Sequence, residues 1–292
     1  MSIALVTCQN LSEPDLDEAL LCEAIRARDV PVSVVAWNAA QALPAPEDHA
    51  LWVLRSTWDY HHHLESFFAF AARTASRSRL VNPLHLLRWN AHKTYLRDLK
   101  MRGVPVVRTA FIPRGSAASL LDVKRDYAFD DVVIKPAVSG GSFKTRRFRP
   151  EEAEEGHEFL RELAADRDVL VQGYAPDVEV SGERSVVFID GELTHSVRKA
   201  PRLSGDDESV SSALPISTDE RALAEMVLRP MWTRLLYARV DMVRDEGGNP
   251  MVMEVEVIEP SLFLLQHPPA LKRFADAIVR EARENPQAIK AP

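Results

Sequence analysis

A chain of 292 residues, 46% hydrophobic and 27% charged, is long enough for one large α/β unit or for two to three smaller lobes around a shared cleft. A net charge of −7 gives no electropositive footprint for nucleic acid, and no apolar run reaches the length that spans a bilayer. The first residues lack a basic leader with a cleavage pattern, and Cys8 and Cys22 sit in a strand-like and a helix-like run, so a reduced, cytoplasmic protein with packed thiols is expected.

Residues 3–8 (IALVTC) are a short apolar run and predict a buried parallel strand. EPDLDEALLCEAIRARD follows with helical spacing, then two β-like runs, VPVSVVAW and ALWVLRS. Strand, helix, strand, strand predicts a small open α/β sheet over residues 1 to about 80. After the third run the chain reads Trp58, Asp59, Tyr60, His61. In open parallel sheets such strand-end loops face the ligand crevice, although a plain capping loop with surface histidines fits the same residues.

LESFFAFAARTASR predicts a helix, Asn82-Pro83 breaks it, and HLLRWNAHKTYLRDLKMRG predicts a further helix closed by Gly103. A strand (VPVVRTAFI), a short helix (SLLDVKRDY) and a strand–loop–strand unit (DVVIKPAVSGGSFKTRRF) come next. PEEAEEGHEFLRELAAD has Pro at the first helical position and acids in the first turn, both helix-start signals. VLVQGYA predicts a strand running into a linker. The last third holds two hairpins, turning at Asp190-Gly191 and at Gly247-Gly248, with a helix from about Asp219 to Leu236 between them and a closing helix over 269–284.

The second hairpin carries the chemistry. With Gly247-Gly248 at the turn centre, Asp241 lies opposite Glu254 and Arg239 opposite Glu256, and alternation puts all four side chains on one face. Cross-strand neighbours have Cβ atoms roughly 4.5–5.5 Å apart, so three carboxylates repel one another and one arginine offsets only part of that. A hard divalent cation binding with nucleotide phosphates would satisfy such oxygen donors; a solvated strand with one Arg–Glu pair would show the same alternation. Lys135, within the apolar run VVIKPAV, must find an anionic partner if buried. A phosphate of ATP is a natural one, because the next turn, Ser139-Gly140-Gly141-Ser142, leaves backbone N–H groups able to approach phosphate oxygens. There is no Walker A ending, and for Lys93 and Lys199 a solvated lysine is the commoner reading of their positions.

In order, these segments resemble the ATP-grasp superfamily over roughly residues 80–265, with the N-terminal lobe similar to its pre-ATP-grasp domain. The look is nearest to the D-cycloserine synthetase type, which shares a Glu-x-Glu run followed by Glu-Pro-Ser-Leu. The resemblance implies an α/β (α+β) ATP-grasp fold divided at 1–82, 83–175 and 176–292. It implies that Lys93, Lys135 and the loop Ser139, Gly140, Gly141, Ser142 hold phosphates. Gln172, Gly173, Tyr174 and Ala175 would read adenine, and Glu183 the ribose. Asp241, Glu254 and Glu256 would hold Mg²⁺ or Mn²⁺, with Arg239 and Lys199 acting on the transferring phosphoryl group; Trp58, Asp59, Tyr60 and His61 would line the substrate site. The implied activity is an ADP-forming ligase that activates a small amino-acid-like carboxylate for attack by an amine, in specialised metabolism such as antibiotic formation, with homodimers common among relatives. An intramolecular cyclase, a small-molecule kinase and a non-catalytic ATP-binding protein are the alternatives. Two departures stand out: Glu256 occupies a position where the family usually has Asn, and SGDDESVSS replaces a Gly-Asp-Phe-Arg segment.

Overall fold

The computed structural model describes residues 1–40, 43–200 and 209–284. The N-terminal lobe comprises β1 (Ile3–Thr7), α1 (Glu18–Arg26), β2 (Val32–Ala36), β3 (Leu51–Ser56), α2 (Leu64–Arg77) and β4 (Arg79–Val81), with the strands in the parallel order β2-β1-β3-β4. All five residues of β1 are buried, as the unbroken apolar run requires of a sheet covered on both faces. Ile3, Leu5 and Val53 pack on one side with Leu21 and Ile25 of α1, while Ala4, Val6 and Leu54 pack on the other with Phe67 and Phe70 of α2. The fourth strand goes beyond the expected elements: three residues are too few to show a period.

Next come α3 (Leu84–Ala91), α4 (Tyr95–Met101), β5 (Thr109–Ile112), α5 (Leu120–Tyr127), β6 (Val132–Pro136), β7 (Arg146–Phe148), α6 (Ala153–Asp166) and β8 (Val169–Gly173). Their strands form an antiparallel sheet, β5-β8-β6-β7. The single helix expected over 85–103 is therefore two. The chain leaves the helical path at His92 (φ −111°, ψ 120°), and the Lys93 amide donates to Ala137 O at 2.8 Å instead of continuing the ladder.

The remainder holds α7 (Asp177–Val180), β9 (Glu183–Ile189), β10 (Glu192–Lys199), α8 (Thr218–Leu228), β11 (Tyr237–Arg244), β12 (Pro250–Glu256) and α9 (Pro268–Arg283). The strands form a second antiparallel sheet, β10-β9-β11-β12. Asp190 and Gly191 both have positive φ (48° and 77°), as a type I′ turn requires. The helix expected to reach Leu236 stops at Leu228 and continues as a 3₁₀ segment through Arg234, because Pro230 lacks the N–H an α-helix needs. The departure at 204–212 lies mostly outside the described residues.

The N-terminal lobe is locked to the third sheet. The Tyr237 hydroxyl lies 2.8 Å from Leu54 O and 2.9 Å from Ile258 O. Asn82, fully buried, donates at 2.8 Å to both Tyr237 O and Val257 O and accepts from Leu236 N at 2.8 Å. On β10, buried His195 stacks on His267 with centroids 4.6 Å apart. Burial, then the neighbouring His267 ring, lowers its pKa to about 4. The unfolded imidazole takes its proton near the ordinary value, about 6.5, so the unfolded state binds more protons between these values and stability falls as pH drops from 6.5 to 4. Denaturant titrations across that range should show a loss on the order of 3 kcal/mol that is absent from His195→Phe; equal slopes in both proteins would refute this.

Candidate active site

The observed register pairs Arg239 with Glu256, Val240 with Val255 and Asp241 with Glu254. Nearer the turn the pairing shifts: Met242 meets Val252 and Arg244 meets Pro250. Met253 is the extra residue of a bulge, and the connection closes through Asp245 N–H donating to Asn249 O at 2.9 Å. The turn is thus one residue longer than a two-glycine centre implies, and the bulge restores the register where the acids stand. Strand β12 is held by helix side chains. Asn90 Nδ2 donates to Val255 O at 2.6 Å, Val257 N–H donates to Asn90 Oδ1 at 2.9 Å, and Val255 N–H donates to the Tyr95 hydroxyl at 3.0 Å. These two residues fix the backbone on either side of Glu254 and Glu256, and no sequence motif marks them beyond two polar side chains on an otherwise apolar helical stretch.

Arg239 is the centre of the acidic face. Its Nε and Nη2 each donate to Asp241 at 2.8 Å, Nη2 also reaches Glu256 at 2.6 Å, Nη1 donates to Ser261 O at 3.2 Å, and the guanidinium lies over the Phe263 ring. Asp241 also accepts from the Ser185 hydroxyl at 2.7 Å and from Lys199 at 3.3 Å. Burial would raise the Asp241 carboxyl, but Arg239 and Lys199 outweigh it and hold it well below the usual range. Lys199 also pairs with Glu183. Burial, opposed by Lys199, pushes the Glu183 carboxyl up to about 7.

Glu254 takes two further cations. Lys135 donates to its Oε1 at 2.6 Å and Lys93 to its Oε2 at 3.2 Å, so both lysines, 5% and 8% exposed, converge on one carboxylate. Burial works against its ionisation, yet the two ammonium groups bring its pKa down to about 2. Lys93 also donates to Ser139 O at 3.3 Å, which joins it to the Ser139–Ser142 loop. In that loop Gly141 and Ser142 have φ of +54° and +59°, and Phe143 N–H and Thr145 N–H turn inward to Gly140 O and Ser142 O. The amides of Gly140, Gly141 and Ser142 donate to no other described residue, which leaves them able to meet an anion.

Around this centre the other expected residues are distributed unevenly. Gly173 N–H and Tyr174 N–H donate to Arg108 O and Asp131 O, and the Gln172 side chain is buried on the Thr109 hydroxyl at 2.9 Å; Ala175 O accepts from Val178. Gly173 and Tyr174 therefore spend their donors within the protein. Asp59 is bound by Trp37 Nε1 at 2.8 Å and by Asn38, and Tyr60 is buried in the N-terminal core. These two residues shape the loop rather than line a cleft. Trp58 and His61 do face across: Trp58 Nε1 donates to Glu259 O at 3.3 Å, and a Cβ on Gly140 would lie 3.3 Å from His61 Nδ1. Among the described residues, no three His, Cys, Asp or Glu side chains converge to hold a metal ion; Asp241, Glu254 and Glu256 are each engaged by protein cations. No helix among them is long and apolar enough to cross a membrane.

The comparisons with known proteins agree with this layout. The family description "D-cycloserine synthetase DcsG, N-terminal domain" matches residues 3–82. The cycloserine biosynthesis protein DcsG of Streptomyces lavendulae is 31% identical over 299 residues, covering 96% of this chain and 99% of that protein. The chain belongs to the D-cycloserine synthetase family. The crystal structure of D-cycloserine synthetase DcsG matches with a TM-score of 0.86 at 30% identity, over 97% of this chain and all of that one. The ATP-grasp ligase PsnB, solved with minimal precursor, Mg and ADP, matches with a TM-score of 0.64 at 17% identity, covering 97% of this chain and 98% of its own, and shows that the fold is ATP-grasp. The family member described here is accordingly an ATP-grasp enzyme of the synthetase and ligase class.

Proposed function

We propose that this enzyme uses Mg-ATP to convert the carboxylate of a small amino-acid-like molecule into an acyl-phosphate, which an amine then attacks with release of ADP and phosphate. The observation that carries the reading is the convergence of Lys135 and Lys93 on Glu254 beside the Ser139–Ser142 loop. Two buried ammonium groups next to unused loop amides suit phosphate oxygens, and Glu254 and Glu256, each with a partly exposed side chain, supply hard oxygen donors for Mg²⁺ alongside Asp241. When bound, the ion would neutralise charge on the nucleotide phosphates. Arg239, fixed by Asp241 and Glu256, would stabilise charge on the transferring phosphoryl group without having to reorganise. The N-terminal lobe, docked through Tyr237 and Asn82, would hold the nucleophile near the acyl-phosphate and keep water away.

A second reading, in which the attacking amine belongs to the same molecule and closes a ring, is favoured by the 31% identity to the cycloserine biosynthesis protein over nearly the whole chain. Analysis of products separates the two: joining of two molecules against cyclisation of one, both with ADP and phosphate. Phosphorylated product as the end point would instead make the enzyme a kinase. For the nucleotide site, Lys135→Ala should raise the apparent Kd for ATP about 10- to 100-fold, as expected for loss of a charge-assisted contact; an unchanged calorimetric titration would remove Lys135 from the phosphate site.

A further inference from the structure

The loop after β3 and the loop after β6 meet across two lobes. A Cβ on Gly140 would stand 3.3 Å from His61 Nδ1 and 3.7 Å from Trp58 O, so the backbone of the Ser139–Ser142 loop lies directly against the imidazole. Phe143 completes the contact. Its ring centroid is 5.2 Å from that of His61 and 4.7 Å from that of His62, edge-on to the latter, and the two imidazoles are 4.0 Å apart. Phe143 N–H donates to Gly140 O at 2.9 Å, and its neighbours Ser142 and Lys144 are non-glycine residues with φ of 59° and 49°. Side chains disfavour that region, so the packing of the Phe143 ring has to hold the loop in this shape.

The histidine at the centre of this contact is poorly matched to it. Neither ring nitrogen of His61 has a hydrogen-bond partner among the described residues, and both are closed off from solvent. The Trp58 carbonyl is near without being aligned to accept. The ring is neutral: burial, then His62, lowers the His61 pKa to about 4, with Asp59 opposing and Lys93 adding to the effect. A neutral imidazole carries one donor and one acceptor, and burying either without a partner is unfavourable. When the loop lifts, both nitrogens meet water. The ring contacts therefore favour the closed loop, and the unpaired nitrogens oppose it.

We infer that His61 is a positioning residue that, with Phe143, clasps the Ser139–Ser142 loop against the N-terminal lobe, and that its unpaired nitrogens keep this clasp weak enough to open for release of ADP. The assignment rests on the reading of that loop as a phosphate site. Loop opening and product release limit many enzymes that close over their substrates, so the side chain that sets how long the loop stays shut also sets how long nucleotide stays bound. His61→Phe keeps the ring contacts and removes the penalty. His61→Ala removes both.

Two readouts on the full chain test this. Without nucleotide, trypsin cleavage after Lys144, exposed within the clasped loop and identified by fragment mass, reports how often the loop lifts. His61→Phe should slow that cut about 10-fold. His61→Ala should speed it, as should Gly140→Ala, whose added Cβ would crowd His61 Nδ1. With Mg²⁺ present, displacement of a fluorescent ADP followed by stopped flow should be about 10-fold slower for His61→Phe than for the wild type, and faster for His61→Ala. A ring that served packing alone would leave His61→Phe indistinguishable from the wild type, so wild-type or faster rates of cleavage and ADP release in that variant overturn the weak clasp. If cleavage follows the expected order while the wild-type protein binds no ADP, the phosphate reading of the loop fails, and the part assigned to His61 in ADP release fails with it.

Discussion

Glu254→Gln should lose at least about 10³-fold in ATP turnover and yet bind metal-free ATP several-fold more tightly than the wild type. The two effects have one origin. Glu254 is the counter-ion of both Lys135 and Lys93, so any phosphate reaching those ammonium groups must compete with a carboxylate whose pKa they have pulled down to about 2. Glutamine keeps the shape, removes the charge and frees both lysines for phosphate. It also removes the hardest oxygen donor available to a divalent ion at that point, which is why turnover should collapse as affinity rises. Titration calorimetry with a chelator present and a phosphate-release assay with Mg²⁺ measure the two halves. Retained turnover would show that Glu254 does not hold the metal; weaker metal-free binding would show that the lysines do not meet the phosphates.

Much of this site is legible in the chain because the decisive hairpin is written in short-range signals. A glycine pair marks the turn and strict alternation marks the face, so Arg239, Asp241, Glu254 and Glu256 can be placed opposite one another from numbering alone. That numbering holds through a compensation the chain does not advertise: a longer turn and a bulge at Met253 cancel. The open parallel sheet is equally legible, since an unbroken apolar run such as 3–7 is too short for a helix and suits a strand covered on both faces. What escapes the sequence is tertiary. The break at His92 is set by Ala137 O capturing the Lys93 amide, a bond between residues 44 positions apart, and helical spacing cannot anticipate it. Asp59 and Tyr60 look like cleft residues because polar and aromatic side chains follow a strand, but Trp37 and the core of α2 claim them.

Asp241→Asn should behave differently from Glu254→Gln, although both are isosteric losses of an expected metal ligand. Asp241 is 2% exposed and accepts from Arg239 twice, from Ser185 and from Lys199. Asparagine keeps one acceptor and turns an NH₂ group toward donors, so the Arg239 guanidinium, 6% exposed, loses a bidentate partner inside the protein. Glu256 remains for Arg239 and Glu183 for Lys199, but neither can reach the vacated positions without abandoning its own contacts. Breaking a buried ion pair by removing one member costs roughly 3–5 kcal/mol. In a chain of this size that corresponds to a drop in Tm of about 5–8 °C. Denaturant unfolding followed by circular dichroism should show the loss with no nucleotide or metal present, alongside loss of turnover. An Asp241→Asn protein as stable as the wild type would mean that the charge network around Arg239 is not what holds β9 against β11, and the carboxylate's part would then be confined to the metal.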